Sequence, residues 1–146
     1  MNKENYTVFA PAEVKMLEVL SLTFFPPHNP VGPDGIAIGV PQYLDDYFSR
    51  FPWMVQVGFR IFLRVMNWLP ILLLQSFRTF RKMEKEKREK FLLLWYHGRF
   101  YLQRLSFLGF KLLFCTAYFN HPEVLKRIEY YEVCPPKGSK EERAKI

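Results

Sequence analysis

From Phe91 to Phe119 apolar side chains recur at three- and four-residue steps, and no proline interrupts them. Leu94, Gly98, Tyr101, Leu105, Leu108, Leu112, Cys115 and Phe119 would form one helical face. Phe100, Phe107 and Phe114, seven residues apart, form a second seam beside it. His97, Arg104 and Lys111, also seven apart, mark a narrow polar line. The spacing predicts one continuous helix of roughly 43 Å at about 1.5 Å per residue. Its apolar coverage exceeds what a single core-facing stripe needs, so it must be covered on several sides.

The flanking patterns are helical too. Pro11 suits a first helical position, because its missing N–H would be unpaired there anyway. Glu13 falls in the first turn, where the helix dipole favours an acid. Val14, Leu17, Leu20 or Ser21, and Phe24 give the stripe, and Pro26-Pro27 stops it. Residues 26–40, with four prolines and three glycines, read as a loop. Period-2 alternation is confined to Ile36–Val40. Pro41 opens a short helix with Tyr43, Leu44, Tyr47 and Phe48 on its apolar side. Residues 52–68 place Val55, Phe59, Phe62 or Leu63, and Met66 at helical spacing, with Arg60 and Arg64 on another face. Pro70 should kink or end that helix, and a separate apolar segment follows over residues 71–80.

Nine of the ten residues from Arg81 to Lys90 are charged. Glu84–Arg88 and Glu86–Lys90 stand at the favourable i, i+4 spacing. A short last helix is predicted over Glu123–Tyr131. Together these elements predict an all-α fold: a single compact helical domain of five to six helices around one long central helix. Residues 1–10 read as an N-terminal lead, 11–131 as the helical domain and 132–146 as a polar tail.

Composition sharpens this picture. The chain has 146 residues, 18% of them aromatic and 24% charged. The charges cut the apolar runs short. The strongest uncharged run, residues 65–77, has thirteen residues and contains Pro70. A spanning helix needs about 20 apolar residues, so none is expected from this run. The charge is unevenly placed: −4 over residues 1–49, +10 over 50–111 and +1 over 112–146. A basic middle third suits an acidic partner or anionic lipid. No export signal is visible at the start, which points to the cytoplasm or its membrane face. Cys115 and Cys134 give neither a disulfide framework nor metal spacing, and Cys115 reads as a core thiol.

Catalytic parts are scarce. The seven glycines make no nucleotide-cradling loop, and His28, His97 and His121 form no metal motif. Asp45 and Asp46 would point about 100° apart on a helix, so they make no acid/base pair. No nucleic-acid-binding signature accompanies the basic residues, and nucleic acid is not an expected partner. No catalytic, cofactor-binding or metal residue is therefore assigned. His97, Tyr101 and Arg104 form the one candidate pocket cluster. Phe100, Arg104, Phe107, Phe114, Trp68 and Leu72 are the candidate partner interface, with the Phe100/Phe107/Phe114 seam packing either on the domain's other helices or on the partner. A small helical chain with surplus aromatics can bury the excess in an obligate interface, which resembles a core cut in half.

Three ordered pieces carry a family resemblance: Phe9-Ala-Pro-Ala-Glu13 leading into an apolar helix; Val40-Pro-Gln-Tyr-Leu-Asp-Asp-Tyr47 after a Pro/Gly loop; and Phe91-Leu-Leu-Leu-Trp95, Phe107-Leu-Gly-Phe110-Lys111 and Tyr118-Phe-Asn-His-Pro122-Glu123-Val124 after a charged turn. In these the chain resembles the gluconate 2-dehydrogenase subunit 3 family, over about residues 9–131. It is also similar to the helical segment preceding the flavin domain of some glucose–methanol–choline-type alcohol oxidases. The resemblance implies a small accessory subunit with no active site or cofactor of its own. It implies a flavoprotein catalytic subunit as partner, with FAD in that partner, forming a dehydrogenase complex for alcohols or sugars. The chain departs from the family in lacking the twin-arginine signal often found on this subunit. An alternative expectation is a peripheral protein that docks on anionic lipid through its basic middle section and the Trp68–Phe77 run.

Overall fold

The computed structural model describes residues 6–72 and 77–128. Within them the fold is a single compact all-α domain. Six α-helices run in order: α1 (Pro11–Phe24), α2 (Val40–Ser49), α3 (Trp53–Leu72), α4 (Lys85–Tyr96), α5 (Tyr101–Phe119) and α6 (Pro122–Arg127). A single 3₁₀ turn, Phe80–Lys82, precedes α4. The expected polar tail, Cys134, Leu73, Leu74 and the end of the last predicted helix lie outside the described residues.

α1 starts where Pro11 and Glu13 predict it. The Glu13 carboxylate accepts from the Ala10 N–H at 2.9 Å, satisfying a donor that the helix itself leaves open. After Phe25, Asn29 organises the proline-rich loop. Its Oδ1 accepts from the Val31 and Gly32 amides, and its Nδ2 donates to the Pro26 and Pro33 carbonyls. The alternating stretch Ile36–Val40 is not a strand. Asp34 Oδ1 caps the Ile36 and Ala37 amides in a turn, and Gly39, at φ 74°, takes the left-handed conformation that starts α2.

α3 does not stop at Pro70. The helix carries through to Leu72, with Pro70 itself buried. Beyond it, the charged stretch forms the start of α4. Its close ion pairs are Lys87–Glu84 at 3.2 Å and Lys85–Glu89 at 3.9 Å rather than the two pairs the spacing suggested. All are exposed and contribute little to stability.

The single helix expected from Phe91 to Phe119 is two helices. His97 closes α4, its N–H bonded to the Leu93 carbonyl, and the Gly98 N–H bonds to the Trp95 carbonyl. Phe100 is extended (φ −89°, ψ 136°) and precedes the first turn of α5. At this corner the amide end of the Gln103 side chain lies against Gly98.

The core lies where α5 packs on α2 and α4 while α1 packs on α2 and α3. Phe24 sits over Phe107, Phe110 and Phe114, with centroids 6.4, 6.0 and 5.3 Å away. Phe25 stacks on Tyr118 at 3.8 Å, and Phe48 on Phe59 at 4.2 Å. Such pairs add about 0.5–1.5 kcal/mol each beyond their buried area. Tyr118 is fully buried and donates its hydroxyl to the Pro33 carbonyl at 2.9 Å, which ties α5 to the loop.

Candidate functional site

The helical face that runs from Leu94 to Phe119 points outward on α5. Tyr101, Leu105, Leu108, Leu112 and Phe119 are exposed, and Cys115 is half-buried rather than a core thiol. Leu94, on α4, is exposed as well. The buried face instead carries Phe107, Phe110, Phe114, Ala117 and Tyr118. Two apolar stripes at helical spacing lie on opposite sides of α5. The inner stripe is the one that meets the rings of Phe24 and Trp95.

This corrects the candidate interface. Phe107 and Phe114 belong to the core, packed on Phe24, and cannot meet a partner. Phe100, Arg104, Trp68 and Leu72 are exposed. Phe100 lies in the corner before α5, Trp68 and Leu72 on α3.

His97, Tyr101 and Arg104 do come together. With Tyr96, Leu105 and Leu108 they line a groove of about 470 Å³ where the corner meets the first turns of α5. The Tyr96 and His97 rings meet edge to face at 4.8 Å. Chemically this is an apolar floor with an imidazole and a guanidinium, fit to hold an acidic or aromatic side chain. Further along α5, Lys111 continues the Arg104 flank, while nothing lies within 4 Å of where a Cβ would stand on Gly109. A neighbouring backbone can therefore come close at Gly109.

α3 has a second outward strip. Met54, Val57, Ile61, Val65, Trp68 and Leu72 are all exposed, and Gly58 adds open space. By length and composition α3 could cross a membrane, and only 17% of its apolar window is buried in the fold. Its two charges are turned sideways. Arg60 and Arg64 both reach Glu13, at 2.8 and 2.9 Å. Glu13 is 3% exposed and so depends on these partners. Beside this group Arg64, Asn67, Trp68 and Arg81 line a smaller cavity of about 200 Å³.

Asp45 and Asp46 do diverge, as the helical geometry requires. Asp46 pairs with Arg50 on the surface at 2.8 Å. Asp45 turns inward and accepts from the amides of Thr7, Val8 and Phe9 and from the Thr7 hydroxyl. Burial pushes its pKa up, but these hydrogen bonds outweigh burial and hold it below the ordinary 3.8. This anchor for the N-terminal lead left no mark in the spacing, because it joins residues 36–38 apart. Elsewhere burial raises the Cys115 thiol against the pull of Lys111, and lowers Arg88 against Glu89. Among the described residues no cluster of three or more His, Cys, Asp or Glu side chains could hold a metal ion.

Compared with known proteins, the chain matches no family model, no curated protein and no solved structure.

Proposed function

We propose that this chain is a non-catalytic accessory subunit that binds a catalytic partner through the outward face of α5. The observation that supports it is the Tyr101–Leu105–Leu108–Leu112–Phe119 stripe. Its members are spaced as coiled-coil knobs are, yet they are exposed on a domain whose core is already filled with rings. Monomers seldom leave so long an apolar stripe uncovered. The Tyr96–His97–Arg104 groove at its upper end would take an acidic anchor from the partner, and Gly109 would let the partner's backbone close in.

The resemblance supplies the identity of the partner in this reading: a flavoprotein of the glucose–methanol–choline type, which carries the FAD and the chemistry of an alcohol or sugar dehydrogenase. This chain would hold that subunit in its folded, assembled state, in the cytoplasm or at its membrane face. Co-expression with a glucose–methanol–choline-type flavoprotein from the same genome tests this. The expected result is co-purification, with the flavoprotein less stable and less loaded with FAD when expressed alone. A flavoprotein fully active alone, and failing to co-purify, would overturn it.

A further inference from the structure

We propose that the outward strip of α3 lies in the plane of an anionic membrane surface, as a second contact independent of the α5 face. The strip is Met54, Val57, Ile61, Val65, Trp68 and Leu72, one apolar line along a helix of 20 residues. At about 1.5 Å per residue it is roughly 30 Å long. It carries no charged side chain and no group that would set a register. A protein partner usually finds about one hydrogen bond per 100–200 Å² of interface. Lipid needs no register.

Tryptophan placement points the same way. Trp53 and Trp68 are both exposed along α3, where indoles favour the headgroup boundary. Phe77, just past the helix, is wholly exposed.

Charge completes the match. Arg60 and Arg64 share the single carboxylate of Glu13, so the group keeps one net positive charge. Arg81 adds another, held near α3 because its backbone N–H donates to Asn67 Oδ1 and its guanidinium donates to the Ala12 carbonyl. These cations border the apolar strip rather than interrupt it, as in helices that lie in an interface. A crossing orientation is disfavoured by the same residues. It would carry Arg60 and Arg64 into hydrocarbon, where each charge costs several kcal/mol.

The test uses the full chain and phosphatidylcholine vesicles with or without phosphatidylglycerol. Trp53→Phe leaves Trp68 as the surface reporter and buried Trp95 as the internal control. Bromolipid should quench Trp68 and spare Trp95, only with phosphatidylglycerol present, and salt should reverse it. The double variant Ile61→Glu/Val65→Glu, at exposed positions, should keep its helical circular dichroism and bind vesicles at least about tenfold more weakly. No partition at low salt, or partition unchanged in that variant, would overturn the proposal. Loss of partner binding in the α3 variant without any vesicle binding would instead assign the strip to a protein. A Leu105→Glu/Leu108→Glu variant should still bind vesicles, which separates this test from that of the α5 face.

Discussion

Two carboxylates turned inward, Glu13 and Asp45, hold this molecule's polar geometry. Glu13 joins the start of α1 to the middle of α3 through Arg60 and Arg64. Glu13→Gln keeps the shape and removes the charge that both guanidiniums need. The arginines remain partly hydrated, so the expected loss in denaturant unfolding is about 1–3 kcal/mol. Asp45 acts by pH. Its folded-state pKa lies below the ordinary value, so its contribution is full above about pH 4 and fades as pH falls through the folded pKa. The Thr7, Val8 and Phe9 amides should therefore lose hydrogen-exchange protection on acidification below that range. Asp45→Asn, which keeps one acceptor oxygen and turns the other into a donor, should weaken that protection already at neutral pH, and Asp45→Ala should remove it. The position of Glu13 in a first turn was readable from the sequence, but its arginine partners were not, since they are 47 and 51 residues away.

At the scale of elements, α5 decides how the domain meets its surroundings. Its two apolar stripes have the same period, so pattern alone cannot tell which one faces in. The neighbours decide: Phe24 and Trp95 supply rings that Phe107 and Phe110 can pack against. Phe110→Ala should cost about 3–5 kcal/mol in thermal or denaturant unfolding. Leu108→Ala, one stripe over, should stay within about 0.5 kcal/mol of the parent. Equal costs would mean that the two faces are wrongly assigned. Helix starts at Pro11, near Pro41 and at Pro122 were legible because proline marks them locally. The corner at His97–Phe100 was not. A lone glycine in an apolar helical pattern does not by itself end a helix, and here the packing of Trp95 on Phe107 and Phe110 folds α4 back against α5.

For the molecule as a whole, the all-α class and the surplus of apolar surface followed from periodicity and composition. Where that surplus lies did not, because covering one face of a helix depends on long-range packing. The aromatic seam is core at two of its three positions, Phe107 and Phe114, while the Tyr101–Phe119 face beside it is left open. Among the described residues two strips are exposed, on α3 and on α5, and they differ in their borders. The α5 strip has a groove with Arg104 and His97 at one end, which suits a protein with an acidic anchor. The α3 strip is bordered by Arg60, Arg64 and Arg81, with Glu13 offsetting one of these charges, which suits anionic lipid.

We propose that the outward stripe of α5 binds a catalytic partner. Co-expression of the flavoprotein with the parent chain and with the Leu105→Glu/Leu108→Glu variant tests it most directly, with co-purified flavoprotein as the readout. The parent chain should bring the flavoprotein down in fixed ratio, and the variant, folded and helical, should lose it by at least about tenfold. Equal recovery with both chains would contradict the claim.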